Sequence, residues 1–379
     1  MNISAFSYAD RRPGWSVDSL ILKEGINLLV GASGSGKTRI LNMLFNIGTF
    51  AASNRSVALG AWTLQFTHSG TEYTWKFEGT TSEEREPRVV SEELWIGTQA
   101  NLTREIFSRT EAGFRFGEKD VPKLSKESSG IYLFREEEII KPVHEALSRI
   151  MRRRFWSEDL SNAVALQSIP HQLIRKLDKR ERPASLNDLY SAQLSLHLLL
   201  YLLDRYFKRE LELVNDQFTR VFPFVEGVEI RRATDVLDMP LGDDYPVAVI
   251  KERGIRRPIP VQEIASGMQK VLLIIADVVT APGDLLYMID EYENSLGVNA
   301  IDFLPPFLAE YGGARQFLIT SHHPLLINAI PMSDWLIFHR KGLNIRVTRG
   351  RDLEARYGSS KQQRFVQLIN DPLYREGVE

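Results

Sequence analysis

Eight consecutive residues near the start of the chain have the types and spacing of a phosphate-binding loop. They are Gly31, Ala32, Ser33, Gly34, Ser35, Gly36, Lys37 and Thr38. The run matches G-x-x-x-x-G-K-[ST] in full, with an apolar run before it and a helical pattern after it. Glycines let successive N–H groups face one phosphate, and the helix N-terminus adds partial positive charge. Lys37 is predicted to reach the β- and γ-phosphates of ATP, and the Thr38 hydroxyl to bind Mg²⁺.

Two carboxylates follow a second apolar run, late in the chain. Leu285 to Ile289 is typical of a buried strand, and Asp290 and Glu291 come directly after it. In parallel sheets, ligands collect at the carboxyl ends of the strands. Asp290 is therefore predicted to lie beside the Mg²⁺ held by Thr38. Glu291 is predicted to polarise the attacking water as a general base.

Two further segments flank this acidic strand end. Ser266 and Gly267 open a predicted helix, within the run Ala265 to Lys270. The serine and the N–H groups of a helix start form a second anion site. On the other side, the run ITSHHP contains His322 and follows a strand predicted over 316–320.

In this order, the four motifs resemble those of the ABC-type ATPase superfamily. The segments SGMQK, IDEYENSLG and TSHHP are similar to those of its soluble branch, which holds the RecF, SMC and OLD-type ATPases, and they differ from transporter motifs. The resemblance covers roughly residues 1–60 and 245–330. It implies an α/β fold, an ABC-type P-loop ATPase head with a mixed sheet, flanking helices and an antiparallel β part, carrying a mainly helical insertion.

The resemblance also implies roles for single residues. Asp290 would serve the metal, Glu291 would be the base, and His322 would sense the γ-phosphate. Ser266 and Gly267 would contact ATP held by a second copy of the chain, so that two heads would dimerise around ATP.

Two glutamines complete the candidate set. Gln269 of the SGMQK segment is a further candidate for nucleotide contact. Gln99, in the run IGTQANL, is the candidate for the glutamine that helps to hold Mg²⁺, with a polar loop residue as the alternative. The sequence departs from the family pattern at Met268, where a second glycine is usual, and at His323, where serine is usual.

The hydrophobic pattern supplies the elements that must position these residues. Strands are predicted over 2–8, 16–22, 26–30, a hairpin at 61–79, several short strands between 88 and 116, and then 245–251, 285–289, 316–320 and a pair within 335–348. Helices are predicted after the phosphate loop, three or four times between 136 and 222, and over 266–280 and 359–370. We therefore expect an N-terminal part of the head at 1–125, a helical insertion at 126–225 and a C-terminal part at 226–379.

The predicted insertion is broken by prolines and is too short for the coiled-coil arms of SMC-like ATPases. Its apolar stripe from Leu186 to Leu202 is most simply core packing, with a partner surface as the alternative. Residues 141–182 hold ten Lys or Arg and five Asp or Glu, densest in the run Arg152-Arg153-Arg154-Phe155-Trp156. A solvated helix face and a nucleic-acid phosphate site both stay open.

The amino-acid composition excludes several further kinds of site and protein. With 47 Lys and Arg against 49 Asp and Glu, the net charge is −2, so no global basic field points to nucleic acid. Cysteine is absent, which excludes disulfides and cysteine-based zinc sites. Neither a signal peptide nor a membrane-spanning segment is predicted, and a cytoplasmic location is expected.

The resemblance thus implies an ATPase that dimerises around ATP and regulates or scaffolds a separate effector, a nuclease by expectation, in anti-phage defence. No nuclease site is visible in the chain itself. A DNA repair or chromosome-maintenance ATPase and an ATP-dependent scaffold with little hydrolysis are the alternatives. DNA is a further possible partner.

Overall fold

The structure is a computed structural model. It describes residues 1–10, 14–53, 57, 59–82, 86–122, 124–153, 185–186, 189, 194–236, 246–357, 361–375 and 377–378. Most of the basic segment predicted over 141–182, including Arg154, Phe155 and Trp156, lies outside these residues, as does Tyr190 of the apolar stripe.

The chain divides into two compact units. The first unit consists of residues 1–153, 283–292 and 312–379, and the second of residues 154–282 and 293–311. The predicted boundaries near residues 125 and 225 stay predictions.

In the described part of the first unit, fourteen strands form one sheet. They are β1 (Asn2–Ala9), β2 (Ser16–Ile21), β3 (Gly25–Gly31), β4 (Gly60–His68), β5 (Thr71–Thr81), β6 (Pro87–Thr98), β7 (Asn101–Arg109), β8 (Phe114–Phe116), β9 (Lys119–Val121), β10 (Ile150–Arg153), β14 (Leu286–Ile289), β15 (Gln316–Thr320), β16 (Trp335–Lys341) and β17 (Asn344–Arg349). Their spatial order is β10-β14-β15-β3-β16-β17-β2-β1-β4-β5-β6-β7-β8-β9.

The first five strands of that order, β10 to β16, run parallel to one another. Their carboxyl ends therefore share one edge of the sheet, as the motif analysis requires. Leu28, Leu29 and Val30 of β3 are fully buried, which explains why the second half of this strand is apolar. From β1 to β9 the pairing is antiparallel, and β4 alternates buried and half-buried residues because it covers the core on one face.

Helices of the first unit pack beside this sheet. They are α1 (Lys37–Ser53), α2 (Gly130–Leu133), α3 (Lys141–Ser148), α9 (Pro324–Ala329), α10 (Lys361–Asn370) and α11 (Pro372–Arg375). Ile40, Leu41, Leu44 and Ile47 recur at helical spacing on α1, and all are fully buried in the main core. This packing fixes the helix that follows the phosphate loop.

The second unit is described by itself. Its elements are α4 (Leu196–Tyr206), α5 (Lys208–Val221), β11 (Val225–Arg232), α6 (Ala233–Val236), β12 (Pro246–Glu252), β13 (Ile259–Pro260), α7 (Ser266–Thr280) and α8 (Val298–Tyr311). The three strands form a small antiparallel sheet. None of the helices described in either unit is long and apolar enough to cross a membrane.

Most predicted elements are confirmed within a residue or two. Strand β10 is a correction, because residues 150–153 fall in a stretch predicted to be mainly helical. The four residues Ile-Met-Arg-Arg have no strand pattern of their own. They pair in register with Leu286–Ile289, so the sheet edge rather than local preference determines their conformation. Helix α8 was not predicted, and two prolines lie inside it.

Candidate functional site

The phosphate loop occupies the turn between β3 and α1. Gly31, Gly34 and Gly36 have φ values of 150°, 81° and 105°, which side chains rarely allow. A Cβ on Gly31 would lie 2.4 Å from the Phe338 carbonyl oxygen of neighbouring β16. One on Gly36 would lie 2.3 Å from Cδ1 of Ile345. Glycine is thus required both by the curl of the loop and by its close packing.

Lys37 begins α1 and turns back over the loop. Its Nζ donates to the carbonyl oxygens of Gly31, at 2.8 Å, and Ala32, at 3.0 Å. Ser35, at the centre of the turn, is fully buried and donates its N–H to the Ala32 carbonyl. The ammonium group therefore lies inside the concave face of the loop, where a phosphate would compete for it.

Thr38 and Asp290 meet at the carboxyl edge of the sheet. The Thr38 hydroxyl donates to Asp290 Oδ1 at 3.1 Å. A hydroxyl and a carboxylate oxygen are the hard ligands that Mg²⁺ uses beside phosphate oxygens. The residues present therefore fit the ion that the phosphate loop implies, and Thr38 and Asp290 are the side chains that would hold it.

Thr320, at the end of β15, organises the acidic strand end. Its hydroxyl donates to Asp290 Oδ1 at 2.8 Å and accepts the N–H of Glu291 at 2.7 Å. Glu291 has a φ of 49°, and its side chain is exposed. Sequence reasoning did not assign Thr320 a role. The signal that could have found it is a polar residue ending a buried strand two positions before His322.

Arg152 is a second residue that sequence reasoning missed at this site. Its Nη2 donates to Asp290 Oδ2 at 2.6 Å, and Nη1 donates to the Asn42 side chain on α1. The Arg152 side chain is only 2% exposed, so it does not face a nucleic acid. Neither a solvated helix face nor a nucleic-acid phosphate site describes Arg152, because it lies on a strand and its charge is turned inward onto a carboxylate.

The two histidines after β15 differ in what they do. His323 caps α9, since its Nδ1 accepts the N–H of Leu325 at 3.3 Å. His323 therefore has a structural role, as the cap of this helix. His322 is half-buried between β15 and α9, on the same edge of the sheet as Asp290. Its sensing role stays a prediction.

In the second unit, Ser266 and Gly267 begin α7 and reach solvent. A Cβ on Gly267 would lie 2.4 Å from the Ser295 carbonyl oxygen, which requires glycine there. Lys270 is buried and donates to the Asn294 carbonyl at 3.0 Å. The start of α7 is therefore held against the loop that follows the acidic motif.

Neither predicted glutamine is presented to a nucleotide or a metal. The Gln269 amide is buried and donates to the carbonyls of Val261, Gln262 and Ile264, so it orders the segment before α7. Gln99 lies in the turn between β6 and β7, where it accepts from Gln65 at 3.2 Å. The predicted ligand roles of both glutamines are therefore wrong, because their side chains hydrogen-bond within the protein. The residue beside Asp290 is instead Arg152, on the edge strand β10.

One solved structure shares this architecture at a TM-score above 0.5. The chain resembles the SMC head bound to the C-terminal winged-helix domain of ScpA, with a TM-score of 0.53 and 11% identity over 92% of this chain and 97% of that one. A Pyrococcus furiosus SMC head domain with an extended coiled coil, bound to the C-terminal domain of ScpA, matches at a TM-score of 0.48 and 11% identity, covering 92% and 96%. At such identity the first likeness speaks for the fold alone, and the predicted ABC-type P-loop ATPase fold is confirmed.

Sequence comparison identifies the family. No curated protein matches the chain significantly. One family model matches residues 26–328, from the start of the phosphate-loop strand to the helix after His322. The match spans the phosphate loop, the acidic strand end and the segments between them. The chain belongs to the family described as AAA domain, putative AbiEii toxin, Type IV TA system.

Proposed function

We propose that this chain binds ATP with Mg²⁺, hydrolyses it and uses the cycle to control a separate effector protein. The observation that carries the proposal is the contact between Thr38 and Asp290 beside a fully formed phosphate loop. It brings together two residues that are 252 positions apart in the chain, both of types that hold Mg²⁺ beside a nucleotide. The AAA domain family supports the ATPase class.

In this proposal the chain positions the triphosphate and a water. N–H groups of the phosphate loop and Lys37 hold the β- and γ-phosphates, while Thr38 and Asp290 hold the ion, which neutralises charge on the phosphates when bound. Glu291 accepts a proton from the attacking water. Thr320 holds the Glu291 backbone in position, because its hydroxyl accepts the Glu291 N–H.

The dimer and the effector form the finer part of the proposal. Ser266 and Gly267, exposed at the start of α7, would complete the nucleotide site of a second copy. The family description names a putative toxin of a toxin–antitoxin system, a type of system with paired components. Within the proposal, the role is control of a separate effector in anti-phage defence, with a DNA repair or chromosome-maintenance ATPase as the alternative.

Nucleotide binding tests the core of the proposal. Lys37→Ala should lower ATP affinity by at least about tenfold, because it removes a buried charge that faces the phosphates. Lys119→Ala, at the exposed start of strand β9, is the matched control and should bind as wild type does. Equal isotherms for wild type and Lys37→Ala would refute the site. Hydrolysis is measured separately: steady-state turnover that does not exceed the Glu291→Gln background would favour the scaffold alternative.

A further inference from the structure

Two arginine–aspartate pairs join the edge strand β10 to β14. At the amino ends of the two strands, Arg149 pairs with Asp284, and the two side chains are 23% and 28% exposed. At the carboxyl ends, Arg152 pairs with Asp290, at 2% and 9% exposure. Both pairs join an arginine to an aspartate, although Asp284 also contacts the N-terminal ammonium group and His68. They differ in burial and in place, since only the second lies at the phosphate loop.

The two oxygens of Asp290 have different partners. Oδ1 accepts from Thr38 and Thr320, whereas Oδ2 accepts from Arg152. Arg152 also donates to Asn42, one helical turn beyond Thr38 on α1. A full positive charge is therefore built into the site, on the carboxylate that would receive the metal ion.

We propose that Arg152 is a resident cation of the nucleotide site, which neutralises Asp290 when no divalent ion is bound and competes with that ion for it. A buried carboxylate without a counter-charge is strongly unfavourable, and it would repel an incoming triphosphate. With Arg152 in place, the site has a higher affinity for nucleotide in the absence of metal. Adding metal then raises that affinity by a smaller factor. The inference rests on the proposed nucleotide site and adds a regulator of its metal dependence.

The quantity that tests this is the metal gain, defined as the affinity for a non-hydrolysable ATP analogue with Mn²⁺ divided by its affinity with EDTA. Arg152→Met should raise the metal gain by at least about tenfold, because one charge–charge interaction at close range is worth that much or more. The rise should come mainly from weaker binding in EDTA. Arg152→Lys, which keeps the charge, should return the gain towards the wild-type value.

The other outcomes are equally decisive. If Arg152 only held the strands together, both affinities would fall alike and the gain would not change. If Arg152 oriented Asp290 towards the metal, replacing it would lower the metal gain, because losing a residue that positions a metal ligand weakens metal binding. Either result overturns the proposal. Arg149→Met removes the other ion pair of the same strands, so its gain should equal that of wild type.

Folding and function are controlled separately. Arg152→Gln keeps amide donors for Asp290 and Asn42 but removes the charge, so it must also raise the metal gain. It tests the proposal even if Arg152→Met does not fold. Failure of wild type to bind the analogue would refute the nucleotide site itself. Binding that is lost in Lys37→Ala, with an unchanged gain in Arg152→Gln, would refute only the resident cation.

Discussion

Glu291 shows how one side chain is set for chemistry by its neighbours. Its φ of 49° is uncommon for a residue other than glycine, and such conformations persist only where the surroundings impose them. Thr320 does so, because its hydroxyl contacts both Asp290 and the Glu291 N–H. The Glu291 side chain is therefore exposed next to the buried carboxylate of Asp290.

Replacing this carboxylate tests its role as the base. Glu291→Gln keeps the shape and removes the proton acceptor, so ATP turnover should fall by about 10²–10⁴-fold while ATP binding persists. Phosphate release and a binding isotherm measure the two effects. Glu118→Gln, on an exposed turn, should leave both unchanged. Turnover of Glu291→Gln equal to wild type would remove Glu291 from the mechanism.

Among the elements, the hairpin of β4 and β5 shows how local chemistry sets register. Its turn residues Ser69 and Gly70 have φ values of 49° and 79°, as in a type I′ turn. The turn fixes the pairing that places Trp62 opposite Phe77, where the two rings stack at 4.0 Å. Serine is a poor choice for a left-handed conformation, whereas asparagine tolerates it.

Ser69→Asn should therefore stabilise the protein. We expect a gain of about 0.5–1 kcal/mol in the free energy of unfolding, measured by denaturant titration. Gly70→Ala should instead lose about 1 kcal/mol, although no atom obstructs its Cβ, because its φ is positive. A loss of stability in Ser69→Asn would contradict the turn type.

Strand β6 carries a buried acid that makes stability depend on pH. Glu92 is fully buried and accepts from Trp75 Nε1 at 3.1 Å and from the Gly130 N–H at 2.7 Å. Burial raises the pKa of Glu92 to about 7, although these donors and Arg109 oppose the shift. The folded protein then binds more protons than the unfolded one between about pH 4.5 and 7. Its contribution to stability is full below pH 4.5 and is lost as pH rises through 7.

Glu92→Gln stays neutral and should remove this dependence. Between pH 5 and pH 8, the difference in unfolding free energy between variant and wild type should move in favour of the variant, by up to roughly 3 kcal/mol. Denaturant titrations at the two pH values measure it. A change in the opposite direction would mean that Arg109 keeps Glu92 ionised.

At the scale of the whole molecule, the candidate residues are divided between two compact units. The phosphate loop, Asp290 and Glu291 belong to the first unit, and Ser266 belongs to the second. The chain passes from one unit to the other directly after Tyr292. In the proposed dimer, the Ser266 of one copy would serve the phosphate loop of another.

Mixing two inactive variants tests this arrangement. Lys37→Ala keeps Ser266, and Ser266→Arg keeps the phosphate loop, so a mixed dimer has one complete site. An equimolar mixture should recover up to about a quarter of wild-type turnover, if dimers exchange at random in a two-fold assembly. Each variant alone should stay inactive. A mixture that stays inactive, although light scattering shows that dimers form with ATP, would contradict sharing between copies.

What the sequence determined by itself is the chemistry that depends on contiguous residues. The phosphate loop, the acidic strand end and the SGMQK segment are local, and the apolar runs beside them predict strands and helices because periodicity follows from local geometry. For this reason the fold class and most elements could be predicted. His323 also acts through contiguous residues, since the cap that it forms involves only its neighbours.

Only the tertiary structure decided what depends on residues distant in the chain. Arg152 belongs to an isolated basic run in the sequence, yet strand pairing with Leu286–Ile289 brings it to Asp290. Thr320 likewise meets Glu291 only in the folded sheet. Gln99 does not take its predicted place beside Mg²⁺, because β6 ends in the antiparallel part of the sheet, several strands away from the parallel strands that carry Asp290. The charge, polarity and spacing of residues in the sequence indicate which chemistry a side chain can perform. The order of strands in the sheet decides which partner it meets, because pairing joins segments whose separation along the chain leaves no local pattern.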